Sequence, residues 1–292
     1  MHETHKETAI LYHGGCPDGL GGAYAAWKKF GDAAEYIPVK HGHPAPMGLA
    51  GRKLYFVDFC YPKDTMDAIA AEAASVTVLD HHLGIKDVVE SMPDYVFDEH
   101  HSGAVIAWNY FHPGTPVPTL LTYIEDGDLY RFALPQSRAI LAYEYNSPLL
   151  NSAFEHWDAA VRELDDPMER ERIIQKGAIF QEYHEHVIEN GVRHAEVVEF
   201  EGYECFLVGS SGEFVSDIGN RLVQAKPPIA IIVSADASEL RISLRSDKTV
   251  DVAALARKHG GNGHPAAAGF KIALGGKVPW KPVEKIDEHT GH

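Results

Sequence analysis

Acidic, imidazole and thiol side chains fall in three tight groups: His13, Cys16 and Asp18, then Asp58, then Asp80, His81 and His82. Neutral imidazole and carboxylate together suit Mn, Zn or Fe. A carboxylate can also bridge two ions about 3.5–4 Å apart, the spacing used for in-line phosphoryl displacement. Each group has a structural alternative. Asp58 and Asp80 are suited to capping a following helix, and His13 to a hydrogen bond at a strand end. The glycines at 14, 15, 19, 21 and 22 permit positive φ and close packing. Adjacent His81 and His82 resist the structural reading. Neighbours at a strand end point different ways, and burying two imidazoles without partners is unfavourable.

The elements that must position these residues are legible in the residue pattern. β-Rich runs at residues 8–13, 35–40, 53–59, 75–80 and 95–98 alternate with amphipathic stretches at 21–30 and 63–74, which predicts a parallel α/β sheet. Residues 54–57 and 76–79 are apolar or β-branched without strict alternation, as in strands covered on both faces. All three chemical groups then lie at strand C-termini, where ligands bind to open parallel sheets. From 102 to about 132 the pattern is helical, broken by HPGTPVP. Residues 166–194 read as a connecting helix between a domain over 1–165 and a smaller α/β domain over 195–276. Residues 277–292 read as a loose tail.

Composition narrows the partners. With 292 residues the chain suits about two domains at ~150 residues each. Its 45% hydrophobic and 23% charged content is that of a globular protein. Lys and Arg number 26 against 42 Asp and Glu, a net charge of −16, which argues against long duplex nucleic acid. Three cysteines without a CxxC support neither a disulfide framework nor a zinc ribbon, and favour a reducing, cytoplasmic setting. No apolar run suits a secretion signal or a membrane span. In the second domain, GGNGHPAAAG at 260–269 is neither a Walker loop nor a dinucleotide fingerprint. His264 among exposed backbone N–H groups would nonetheless make a workable anion cradle, and Arg245 suits either phosphate or an ordinary ion pair.

Taken together these motifs resemble the DHH phosphoesterase family. VLDHH at 78–82 looks like its signature, HGGCPDGLGGA at 13–23 its first motif, VDF at 57–59 its second and EDGDLYRF at 125–132 its fourth, with SGA at 102–104 also fitting. SLRS at 243–246 and the glycine-rich stretch at 260–269 are similar to the DHH-associated substrate-binding domain of nanoRNases and single-strand exonucleases. The resemblance implies a two-ion centre, usually manganese, with His13 on one ion, Asp18 and His81 on the other, and Asp58 and Asp126 bridging. Asp128 competes with Asp126 for the fourth position. Asp80 would be a ligand or would orient the site, and with His81 and His82 forms the catalytic group, His82 facing the substrate phosphate. Ser102, Arg245, Gly261, Gly263 and His264 would join His82 in binding substrate. Cys16 stands where much of the family carries Asp, so it is either a softer ligand that tilts the site toward Zn or Fe, or a buried structural thiol.

The activity so implied is hydrolysis of phosphodiester bonds in short single-stranded oligonucleotides or small nucleotides by metal-activated water. Two alternatives stay open: phosphoanhydride hydrolysis, and a nucleotide-binding regulator with a degraded metal site. Homo-oligomer formation is compatible with any of them.

Overall fold

The computed structural model describes residues 5–147 and 153–283. They belong to two compact units divided between Gln181 and Glu182.

In the first unit, strands β1 (Thr8–His13), β2 (Ala34–Val39), β3 (Lys53–Val57), β4 (Ser75–Asp80) and β5 (Asp94–Phe97) form an all-parallel sheet in the order β2-β1-β3-β4-β5. Its central strands β1, β3 and β4 are mostly apolar and buried because both faces are covered. Ile10, Tyr12, Val57 and Leu79 pack on one side with Ala23, Ala104, Leu121 and Trp157. Ala9, Leu11, Leu54, Phe56 and Val78 pack on the other with Met66 and Val89. The first side is covered by α1 (Pro17–Phe30), α4 (Gly103–Phe111), α5 (Thr119–Asp128), α6 (Ser137–Asn146) and α7 (Phe154–Asp165). The second is covered by α2 (Lys63–Glu72) and α3 (Lys86–Glu90). The strand order reverses between β1 and β3, so the C-terminal ends of these two strands border the crevice where such sheets take ligands.

Helix α8 (Pro167–Arg193) covers nearly the stretch read as a connector, but the division of the chain falls inside it. Ile173 joins the core of the first unit, and Ile188 that of the second.

The second unit contains β6 (Glu196–Phe200), β7 (Tyr203–Gly209), α9 (Val215–Ala225), β8 (Ile229–Ala235), β9 (Glu239–Ser246), α10 (Val252–Lys258), β10 (Asn262–His264), β11 (Ala267–Ala273) and β12 (Trp280–Pro282). They make a mixed sheet in the order β10-β11-β9-β8-β7-β6-β12, in which only β7 and β8 run parallel, the chain passing through α9 between them. Asp251 starts α10 by accepting from the backbone N–H groups of Ala253 and Ala254. The tail expected to be loose is not so throughout, because Trp280–Pro282 pairs with β6 as an edge strand. The remainder of that tail, from 284, lies outside the described residues.

Candidate metal centre

Each strand end delivers its side chain by a local device. After His13 the backbone turns through Gly15 at φ +80°, and Cys16 begins α1 with Pro17 in its first turn. Gly19 lets that helix start close to the strand, since a Cβ there would meet the backbone and Cβ of His13. Asp58 follows β3 in the left-handed region, at φ +55°, where Asp is better tolerated than most residues. Asp80 ends β4 fully buried. Its Oδ1 accepts from the backbone N–H groups of His81 (2.7 Å) and His82 (2.9 Å) and lies 2.8 Å from His82 Nδ1.

Asp18 is held by the start of α4. The N–H groups of Gly103 and Ala104 donate to its Oδ2 and Oδ1 at 2.6 and 2.9 Å, as expected for a carboxylate at a helix N-terminus. Only glycine fits at 103, because a Cβ would lie 2.6 Å from Asp58 Cβ and 2.9 Å from Asp18 Oδ2.

These devices bring the side chains together. His13 Nδ1 lies 3.3 Å from Asp58 Oδ2, and His81 Nε2 lies 3.3 Å from Asp58 Oδ1, 3.6 Å from Asp128 Oδ2 and 3.7 Å from Asp18 Oδ2. Three overlapping triplets have donor atoms within 4.8 Å of one another: His13, Cys16 and Asp58; Asp58, His81 and His82; Asp18, His81 and Asp128. Asp58 is common to the first two and His81 to the last two.

The decisive feature is unsatisfied chemistry. His13 Nδ1, Asp58 Oδ2, Asp80 Oδ2 and His81 Nε2 are buried and lack a well-formed hydrogen bond among the described residues. Buried polar atoms normally have partners, so the three of these that belong to the triplets, on His13, Asp58 and His81, fit a divalent cation as the missing partner.

The charge balance agrees. Burial and the neighbouring Asp58 and Asp128 hold the Asp18 carboxyl well above the usual range, with His81 and Ser102 opposing. Asp58 stays low despite its burial, because the imidazoles around it favour its charged form. Burial and Asp58 lift Asp128 to about 6. Burial would depress His81, but Asp58, Asp18 and Asp128 outweigh it and raise the imidazole to about 9. Burial pushes the Cys16 thiol far up, and Asp58, Asp18 and Asp128 push it further. The pocket holds extra protons in place of positive charge.

Cation uptake must therefore displace protons, chiefly from His81. Both Asp128 and His81 lose their protons as pH rises through about 6 and then about 9, so affinity increases in that direction. Titration calorimetry at pH 6, 7 and 8 is expected to show affinity rising about tenfold per pH unit for each proton released. An affinity flat across this window contradicts the ligand set.

The fourth segment corrects one expectation. Asp126 does not bridge: its Oδ1 and Oδ2 accept from the backbone N–H groups of Ala133 (2.9 Å) and Leu134 (3.2 Å), and its carboxyl is held low, despite burial, by Ser137 and these two amides. Asp128 points into the pocket instead. Residues two apart on a helix differ by roughly 200° in direction, so only one of the pair can face the ions.

The other residues expected to contact substrate fall in both units. Ser102 is fully buried as the residue preceding α4, its N–H donating to Glu125 Oε2 at 2.9 Å, so it supports the site from beneath and offers no face to substrate. Gly261 and Gly263 serve close strand approach, since Cβ atoms there would strike Gly269 and Ala268. Arg245 lies on β9 with Nη2 donating to Ser216 Oγ at 2.9 Å, and His264 is half-buried on β10. Phe270, the aromatic nearest the glycine-rich stretch, is in the core and stacks on His259.

Neighbours not singled out from the sequence include His41, whose ring lies 5.3 Å from that of His13. Glu125 holds the backbone of Ser102 and pairs with His101 Nδ1 at 2.9 Å, and Tyr145 lies beside Gly127. Glu125 opens the EDGD run, and its acidity was the only local signal.

The family model for the DHHA1 domain matches residues 208–288. The Asp80–His81–His82 run lies at the end of β4, beside His13 at the end of β1 and Asp58 after β3. The chain is similar to the DHH phosphoesterases and carries a DHHA1 domain at its C-terminal side. Its fold is also that of a solved DHH domain, described as from a member of the s1p family of ribosomal proteins, at TM-score 0.63 and 12% identity over 92% of this chain and 83% of that one. A curated relative, Uncharacterized protein R106 of Acanthamoeba polyphaga mimivirus, is 28% identical over 96% of this chain and 70% of its own length. The pGpG-specific phosphodiesterase PggH from Vibrio cholerae aligns over 92% of this chain and 94% of its own at 16% identity and TM-score 0.49. No helix among the described residues is long and apolar enough to cross a membrane.

Proposed function

We propose that this protein hydrolyses phosphodiester bonds of small nucleotides or short single-stranded oligonucleotides at a two-cation centre that works with Mn2+. The observation that carries the reading is the set of orphaned buried donors, His13 Nδ1, Asp58 Oδ2 and His81 Nε2, enclosed by Asp18 and Asp128. His13, Asp58, Asp18, His81 and Asp128 would hold the ions, with Asp58 shared. Divalent ions at such a site activate water and neutralise charge on phosphoryl oxygens.

The remaining steps belong to the chain. Asp80 holds the His82 ring through Nδ1, and His82, about one-third exposed, would face a substrate phosphoryl oxygen. Asp18, tied to α4 by two amides, keeps its geometry while the substrate changes. The net charge of −16 favours small anions over long polyanions.

The test restores metal-depleted protein with Mn2+, Zn2+, Fe2+ or Mg2+ and assays dinucleotides, cyclic dinucleotides, phosphorylated nucleosides and polyphosphate. Turnover of a nucleotide ester supports the reading. Tight nucleotide binding without turnover under every ion overturns it in favour of a regulator. The burial of Phe270 favours one second reading: with no base-stacking ring from that segment, a phosphoanhydride substrate needs less from the second unit. Polyphosphate turnover with inert nucleotides would select it.

We further propose that Arg245 and His264 hold a nucleotide phosphate. Arg245→Ala is then expected to raise KM for a dinucleotide about 10–100-fold, with kcat nearly unchanged and hydrolysis of a small generic phosphodiester unaffected. Equal losses on both substrates would assign Arg245 to folding, through its contacts with Ser216 and α9.

A further inference from the structure

The donors of the centre divide by softness. His13, Cys16 and Asp58 gather nitrogen, sulfur and oxygen, whereas Asp18, His81 and Asp128 gather one nitrogen and two oxygens. We infer that this is a mixed-metal centre: the half formed by His13, Cys16 and Asp58 selects a borderline-soft divalent ion, Zn2+ or Fe2+, and the half formed by Asp18, His81 and Asp128 keeps a hard one, Mn2+. The inference rests on the proposed function only for the position of the centre.

The thiol does not carry this alone. Asp58 Oδ2 and His13 Nδ1, which flank it, are buried without a well-formed hydrogen bond, and the Asp58 side chain is only 2% exposed. Cys16 is also unlike the other two cysteines. Cys60 and Cys205 are buried in apolar clusters, while Cys16 is half-buried at the N-cap of α1 and makes no capping hydrogen bond. That position ordinarily takes Ser, Thr, Asp or Asn. The Cys16 sulfur instead lies within 4.8 Å of ligand atoms of His13 and Asp58, a placement that suits metal ligation. Thiolate favours Zn2+ and Fe2+, carboxylate favours Mn2+, and coordination releases the thiol proton to solvent.

The test uses the full chain, stripped of metal. Co2+ loading reads ligation by sulfur through a thiolate-to-metal charge-transfer band. Loading with equimolar Zn2+ and Mn2+, followed by metal analysis, reads site preference. The expected result is a thiolate band and about one Zn and one Mn per chain. Cys16→Ser, nearly isosteric, is expected to lose the band and weaken Zn2+ binding at least about tenfold. Cys16→Asp is expected to take up two Mn2+. Absence of the band in the unaltered protein, or the same Zn-to-Mn ratio in Cys16→Ser, overturns the inference even if Cys16→Asp does not fold. Phosphoester turnover by all-Mn protein lacking the band would leave the proposed function standing and sink this one. A band and a mixed ratio without turnover of any phosphate substrate would do the reverse.

Discussion

Asp58→Asn is expected to abolish hydrolysis, by about 10³-fold or more, and to lose cation binding with it. The side chain touches both halves of the centre, through His13 on one oxygen and His81 on the other, so one neutralised carboxylate deprives two ions. The effect should exceed the ~10–100-fold that follows loss of a residue merely supporting a ligand. Asn is the informative replacement because it keeps the side-chain shape and, like Asp, tolerates the φ of +55° at this position. The melting temperature of the metal-free protein should stay within a few degrees of the unaltered one. Turnover within tenfold of the unaltered protein, with two ions still bound, would remove Asp58 from the bridging role.

Asp128→Asn and Asp126→Ala are expected to fail in opposite ways. Asp128 lies with Asp58 and Asp18 in a pocket too rich in negative charge, which is why its carboxyl is raised to about 6, burial being the larger cause. At pH 7 its ionised form therefore works against the metal-free fold. Replacing it should leave the metal-free melting temperature unchanged or higher while turnover and cation affinity fall by orders of magnitude. Asp126 is the converse case. Its carboxyl is lowered, so the stability it contributes is present at neutral pH and is lost as pH falls through its folded value. Removing it strands the amides of Ala133 and Leu134, at about 1–3 kcal/mol for a buried donor left unpaired. Asp126→Ala should thus melt several degrees lower, with activity reduced only as far as the loop behind Asp128 loosens. Thermal melts and metal analysis on both variants check the assignment, and a metal-depleted but thermally unaltered Asp126→Ala would reverse it.

The softness argument at Cys16 connects these results to ion choice. If the two halves load different ions, the Asp58→Asn protein should lose both, whereas Asp128→Asn should lose the hard ion and retain the softer one.

Much of this centre was legible before any coordinate. His13, Asp58, Asp80, His81 and His82 follow apolar runs too uniform for a half-exposed sheet, and parallel strands covered on both faces place the residues after them at one edge. That inference is local, needing only strand direction and burial. The choice between Asp126 and Asp128 was not local. It depends on the rotation of α5 about its own axis, set by how Leu121 and Ile124 seat in the core, and a rotation of half a turn exchanges the two roles. Ser102 reads as a polar contact in sequence and proves to be buried because α4 packs its first turn onto Asp18. Gly261 and Gly263 suggest a ligand cradle in sequence, and the tertiary structure adds that their backbones lie close against Gly269 and Ala268. Residue type and strand order of appearance thus determined which chemistry this chain can do, because covalent neighbours travel together. Which oxygen, ring or amide faces the ions was decided only by tertiary packing, because that direction depends on contacts between segments far apart in the chain.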